Sequence, residues 1–211
     1  MELIQYLNDI YGQNNPIFLN KIRIGGKSNT AIRTEFSRLV KKGELYRESK
    51  GIYYIKGNEE FGNVISFDEI LDKKFIHTKS STIDFGDLFI DGYYSGLTFL
   101  NMIGISQQVP SIPEITTNNT SSKKRFYHVN NRTAVIRKGK CEINHKNFKI
   151  LQFLDSFHWM NENDIKVNKK LLTDYIQKNH FTKNLLNEYI RLYGFNTIKM
   201  IIEGGLIDAF A

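Results

Sequence analysis

The chain has 211 residues, of which 41% are hydrophobic and 24% charged, with 29 Lys and Arg against 22 Asp and Glu for a net charge of +7. Such values belong to a folded globular chain and exclude a disordered tail, a collagen-like fibre or a membrane-embedded protein. The single cysteine allows no internal disulfide, the acidic start lacks a leader pattern, and no apolar run nears the ~20 residues of a bilayer span, so a cytoplasmic protein is expected.

Along the chain, Leu3, Ile4, Leu7, Ile10 and Tyr11 fall at helical spacing and predict a first helix over residues 2–11. Asn14 and Asn15 make a turn, and a short helix is predicted over 16–24 with Pro16 in its first turn. Gly25-Gly26 turns the chain into a stronger helix, capped by Ser28 or Asn29 and running to about residue 42. Ile32, Phe36, Leu39 and Val40 form its apolar stripe, with Thr30, Arg33, Thr34, Ser37 and Lys41 opposite. Gly43 ends it, and residues 44–47 and 52–55 read as two strands. Helix, helix, turn, helix, hairpin is the order of a winged helix-turn-helix.

Residues 67–75 suit a short helix, with a polar stretch through Ser81. Beyond Thr82 the apolar residues Ile83, Phe85, Leu88, Phe89 and Ile90 are dense, and 95–104 is helix-like. Strands are predicted at 112–117, 126–129 and 133–137, and helices at 146–157, 169–178, 183–193 and 197–210. The expected class is α+β. It comprises an N-terminal winged helix-turn-helix over 1–62, a linker or docking segment over 63–81, and a mixed domain over 82–211 with a small sheet and a helical C-terminus.

The charge is unevenly placed. Residues 20–58 carry +7, residues 59–119 carry −6, residues 123–149 carry +8, and residues 150–211 are neutral. One basic block is by itself a solvated face; two, one of them on a DNA-binding scaffold, point to a polyanionic partner.

Several chemistries fail on spacing. Gly26-Lys27-Ser28 ends like a phosphate-binding loop, but Lys21 stands where its first glycine belongs, and the preceding segment reads as helix rather than strand. Cys141 and His145 are four apart with no second pair to complete a metal site, and the other histidines are scattered. Asp84, Asp87 and Asp91 cluster without a partner motif. Cys141 sits in a basic stretch, which would lower its pKa, yet has no ordered base. No cofactor, no metal and no catalytic residue are expected.

The helix beginning at Ser28 is different. The second helix of such a motif lies in the major groove with its N-terminal part against base edges. Asn29, Thr30 and Arg33 would then reach bases, arginine pairing with guanine. Ser37, Arg38 and Lys41, with Thr34 on the same face, would meet phosphates. Arg47 and Lys50 suit a wing along the backbone. The second block, Lys123, Lys124 and Arg125 with Arg132, Arg137 and Lys138, is less specific. Flanking Phe126 and Tyr127, it suits stacking on a single strand, duplex phosphates or an acidic protein.

Ser28-Asn29-Thr30-Ala31-Ile32, residues 38–45 (Arg38-Leu39-Val40-Lys41-Lys42-Gly43-Glu44-Leu45) and Gly51-Ile52-Tyr53-Tyr54 resemble the N-terminal winged helix of AbiEi-type antitoxins. Gly92-Tyr93-Tyr94-Ser95-Gly96-Leu97-Thr98-Phe99, Val109-Pro110, Glu114-Ile115-Thr116-Thr117-Asn118, Arg132 and Ile136-Arg137 look like that family's C-terminal domain. The resemblance spans about residues 1–155; the tail after 160 and the linker depart from the family pattern. It implies a type IV toxin–antitoxin role in phage defence, with binding to inverted repeats in the protein's own promoter. It implies too a C-terminal domain that counters a nucleotidyltransferase-like toxin (AbiEii type) without a tight complex. By position, Asn29, Thr30, Arg33 and Ser37 would read the operator, and the basic residues 123–137 would be C-terminal contacts. The alternatives are a stand-alone regulator of a mobile element, or an enzyme using Asp84, Asp87 or Cys141.

Overall fold

The computed structural model describes residues 2–57, 65–79 and 88–211. The chain divides into two compact units, one of Met1–Lys74, Lys79–Leu88 and Val129–Arg132, the other of Phe75–Thr78, Phe89–His128 and Thr133–Ala211. The class is α+β: an N-terminal helix, strand, helix and hairpin, a central mixed sheet, and a helical C-terminus. The expected boundaries at 62 and 82 fall outside the described residues, as do Ile83, Asp84, Phe85 and Asp87. Among the described residues no helix is long and apolar enough to cross a membrane.

In the first unit, helix α1 (Leu3–Tyr11) is followed by strand β1 (Ile17–Phe18) and a 3-10 turn (Leu19–Lys21). The helix expected over 16–24 is therefore absent. Ile17 pairs with Tyr53 and Phe18 with Ile52 across an antiparallel ladder, and both are buried. That pairing is more than thirty residues distant in sequence and overrides a weak local helical pattern. Helix α2 (Asn29–Lys41) follows, then β2 (Tyr46–Ser49) and β3 (Ile52–Tyr54), giving a sheet of order β1-β3-β2. Leu3, Leu7, Ile17, Ile22, Ile32, Phe36, Leu39, Leu45 and Ile55 close one core, and the Phe36 ring meets Tyr53 edge-on at 5.0 Å.

The stretch expected as a linker is structured where it is described. Ser66 and Glu69 form a reciprocal capping box that opens α3 (Phe67–Leu71), which loosens into a wider turn over Asp72–Ile76. Strands β4 (His77–Lys79) and β5 (Leu88–Ile90) pair with each other.

The second unit is built on strands β6 (Gly92–Ser95), β7 (Glu114–Thr117), β8 (Lys124–Val129) and β9 (Arg132–Lys138) in the order β6-β7-β9-β8, with β6 and β7 antiparallel and β7 and β9 parallel. At the end of β6 the chain turns directly into α4 (Gly96–Met102). Gly96 has φ 62°, and a Cβ there would lie 3.3 Å from both the Glu114 carboxylate and the Trp159 ring. Only glycine suits that junction.

Helix α5 (Phe148–Ser156) is the centre of the C-terminal helical part. Ile150, Leu151, Phe153 and Leu154 are all buried, so its apolar surface is broader than one stripe. Around Phe153 stand Phe157, Tyr175, Phe181 and Phe210, with ring centroids 5.2 to 6.3 Å away. These rings come from the segments that follow: α6 (Glu162–Val167), α7 (Lys169–Lys178), α8 (Lys183–Tyr189) and α9 (Phe195–Glu203) with their connections. Helix α6 was not expected; Asn161 and Asp164 cap it reciprocally. The single helix expected over 197–210 stops at Glu203, where Gly204 and Gly205 intervene and Gly205 takes φ 61°. The Ala211 N–H donates to the Phe181 carbonyl, which ties down the end of the described chain.

Candidate nucleic-acid interface

Local chemistry fixes α2 at both ends. At its start the Ser28 hydroxyl accepts from the Ala31 N–H at 3.2 Å, satisfying one of the donors a helix leaves free. At its end the Gly43 N–H donates to Val40 and the Glu44 N–H to Leu39, with Gly43 at φ 75°. That pair of bonds is a Schellman closure, which needs the left-handed residue glycine supplies. Ile32, Phe36 and Leu39 hold the inner face in the core.

The outer face is free of the fold. Asn29, Thr30, Arg33, Thr34, Ser37, Arg38 and Lys41 are all exposed. Thr30, Arg33, Thr34, Ser37 and Lys41 recur at three- and four-residue intervals in one arc, with Asn29 and Arg38 on its flanks. Arg33, Arg38 and Lys41 make no hydrogen bond or ion pair among the described residues. Glu35, the single acid of the helix, is held by Lys27 at 2.7 Å, which offsets its charge and keeps the Lys27 ammonium off any phosphate-binding role at Gly26-Lys27-Ser28. A two-residue strand and a 3-10 turn, Leu19–Lys21, precede that turn in place of the expected helix, and the missing glycine and the paired lysine argue against a phosphate loop.

Two side chains offer less than the sequence implied. The Thr34 hydroxyl donates to the Thr30 carbonyl and the Ser37 hydroxyl to the Arg33 carbonyl, each at 3.1 Å. Their remaining capacity is as acceptors, suited to an exocyclic amine rather than to a phosphate. The hairpin carries Arg47, whose Nε donates to the Ser49 carbonyl at 3.4 Å, and an exposed Lys50 next to Gly51 at φ 80°. A bulge between Arg47 and Ser49 twists this strand end.

The second basic block is divided between the two faces of a sheet. Lys123, Lys124, Arg132 and Lys138 are exposed. Arg125 is half-buried instead; its guanidinium lies 5.5 Å from the centre of the Phe75 ring and 5.9 Å from that of Tyr127, and its Nε donates to Thr120. Burial pushes the Tyr127 phenol on that side up to about 12. Arg137 donates through Nε to Glu114 at 2.6 Å, and Glu114 is buried. Two of the six residues are therefore engaged in the fold, Arg125 by the rings on one face and Arg137 by Glu114.

The sequence reading also missed a buried polar cluster. Tyr93 donates to Asp155 at 2.7 Å, Thr116 lies 3.4 Å from the same oxygen and 3.0 Å from Ser95, and the Tyr193 hydroxyl donates to the Leu151 carbonyl. Burial holds the Asp155 carboxyl above the usual carboxylate range, although the Tyr93 hydrogen bond and Lys140 work against it. Burial likewise raises the Tyr93 and Tyr193 phenols. Asp155 looks in the sequence like a polar spacer; nothing local marks it. Cys141 departs from expectation: burial first, then the charges of Asp155, Glu188 and Glu142, push its thiol up rather than down.

Among the described residues no group of three or more His, Cys, Asp and Glu is placed to hold a metal ion. No protein-family model matches the chain. No curated protein gives a significant match either.

Proposed function

We propose that the first unit is a winged helix-turn-helix that binds duplex DNA, with α2 in the major groove and the β2–β3 hairpin as its wing. The observation that carries this reading is the outer face of α2, where three cations without partners among the described residues and four small polar side chains share one exposed surface while the opposite face is locked into a core. A B-form major groove is wide enough for one helix, and a helix in it presents donors to guanine and adenine edges. Asn29, Thr30 and Arg33 at the N-terminal end read bases; Ser37 accepts from a base amine; Arg38, Lys41, Arg47 and Lys50 neutralise phosphates.

The resemblance to AbiEi-type antitoxins extends the proposal. The protein represses its own operon through inverted repeats and counters a nucleotidyltransferase-like toxin encoded beside it. DNA binding is tested by titrating a duplex carrying the repeats upstream of the protein's own gene. Arg33→Ala should weaken binding by about 1–3 kcal/mol and relax base preference at one position, whereas Lys41→Ala should lower the salt slope by about 0.9 with preference intact. Unchanged titrations for both variants would overturn the reading. The antitoxin half has its own test: expression of the neighbouring gene alone should arrest growth, and co-expression should restore it. Growth that never recovers would reduce the protein to a stand-alone regulator.

A further inference from the structure

The edge strand of the central sheet is open along its outer side. Strand β8 is outermost in the order β6-β7-β9-β8, with β9 as its one neighbour among the described residues. Asn130-Asn131 joins the two strands, with Asn130 at φ 50°, and the Lys138 N–H donates to the Lys123 carbonyl. In an antiparallel ladder the main-chain groups of alternate residues turn the same way. Odd positions of β8 therefore face β9, and Lys124, Phe126 and His128 turn their N–H and C=O groups outward. All three residues are exposed. Phe126 leaves 56% of its surface to solvent, although phenylalanine is among the residues most often buried. The strand holds no proline that would stop a further strand from joining it.

We infer that β8 pairs with β8 of a second copy of this chain, antiparallel and centred on Phe126, so that the two sheets run on into one. The order of residues along the edge selects this occupant. Cations fill one end, Lys123, Lys124 and Arg125, and rings the other, Phe126, Tyr127 and His128. Antiparallel pairing about a twofold axis brings unlike ends together. It sets Lys124 opposite the partner's His128, Arg125 opposite the partner's Tyr127, and Phe126 opposite its own counterpart. Each cation then meets a ring rather than a cation. The same preference shows within one copy, where the Lys124 ammonium stands 5.8 Å from the centre of the Phe126 ring and the Arg125 guanidinium 5.9 Å from that of Tyr127. The three outward pairs supply about six main-chain hydrogen bonds, two from each. Sliding the copies two residues toward Lys124 sets Arg125 against Arg125, and four residues sets Lys124 against Lys124, so like charges oppose those registers. An acidic strand would answer the cations at one end and find no charge at the other.

The test is analytical ultracentrifugation of the full chain without DNA, from about 5 to about 500 μM. A failure there leaves duplex binding by α2 as it stands, because no nucleic acid is present. A monomer–dimer equilibrium should appear with a Kd of about 10–200 μM, since one strand edge buries less than the ~1,200 Å² of stable complexes. Phe126→Lys sets two ammonium groups face to face at the axis and should weaken the dimer at least about 10-fold. The position is exposed, so the fold should stay intact by circular dichroism. Phe126→Glu should weaken the dimer likewise. An equimolar mixture of these two variants should recover it as a heterodimer, because the lysine of one copy then opposes the glutamate of the other.

Four results would overturn the inference. One is a monomer at every concentration, whether or not the chain then takes up polyglutamate or an oligonucleotide. Another is a dimer that Phe126→Lys leaves as tight as before, which would place the contact elsewhere. The third is a mixture of the two variants that associates no more tightly than either alone, which would deny the twofold register. The last is growth beyond a dimer, the mark of an open head-to-tail contact.

Discussion

Ser28 has two roles that substitution can separate: it caps α2 and, in the proposed complex, stands where the helix meets DNA. Its hydroxyl accepts from Ala31 at 3.2 Å, and the residue itself is exposed, so Ser28→Ala removes one capping bond and little else. The cost should be about 1 kcal/mol, seen as a fall of about 0.5–1 M in the urea midpoint of the first unit. Ser28→Asp is the informative partner. Aspartate caps as well as serine and its charge suits the positive end of the helix dipole, so stability should equal or exceed that of the wild type. DNA affinity should move the other way. A new negative charge about 7 Å from a phosphate costs about 0.6 to 2.4 kcal/mol as the effective dielectric falls from ~80 to ~20, a loss of about 3- to 60-fold that grows at low salt. Urea melts and duplex titrations on the same two variants read both quantities. If Ser28→Asp proves as unstable as Ser28→Ala, the side-chain cap is not what starts the helix. If Ser28→Asp binds the duplex as the wild type does, the N-terminus of α2 is remote from phosphate and the major-groove docking is refuted.

Three further predictions concern the second unit. Burial holds the Asp155 carboxyl above the ordinary range, so the folded chain keeps that proton more tightly than the unfolded one. The stability this contributes is full below the unfolded pKa and is lost as pH rises through the folded value. Asp155→Asn should therefore gain stability relative to the wild type from acid to neutral pH in urea melts; parallel curves would show that Asp155 does not titrate differently on folding. Arg137→Met leaves the buried Glu114 without its partner, and because the arginine side chain is 34% exposed the expected cost is about 1.5–3 kcal/mol rather than that of a fully buried pair. Adding Glu114→Gln should recover part of it, and strict additivity in the double-mutant cycle would mean that the pair is not coupled. At about pH 8 the Cys141 thiol, raised mainly by burial, should alkylate more slowly than free cysteine, and Asp155→Asn should speed it; a rate above that of free cysteine would contradict the assignment.

How much of this was legible in the chain depends on the range of the forces involved. Helix α2 was, because its cap at Ser28, its stripe of Ile32, Phe36 and Leu39 and its terminator Gly43 are local signals that agree. The α7 helix was read to the residue from the spacing of Leu172 and Ile176, although no side chain caps its start. Strand β1 was not. Ile17 and Phe18 are a strand only because Tyr53 and Ile52 pair with them, and two residues carry no periodicity. Helix α6 went unread although Asn161 and Asp164 make a capping box, since its single buried side chain, Ile165, draws no stripe. The second basic block was visible as composition but not as a surface, because the pleat of β8 and the Glu114 partner lie outside any sequence window.

The net charge of +7 and its two basic strips were fixed by the sequence alone, and so was the candidate face of α2. Tertiary structure decided which of those charges remain available. It left Arg33, Arg38 and Lys41 in solvent, tied Arg137 to Glu114, turned Arg125 against Phe75 and Tyr127, and set Cys141 where burial and nearby acids raise its thiol. The physical reason is that a charge is assigned by its order in the chain, whereas its partner and its solvation are assigned by neighbours that only folding brings within a few ångströms.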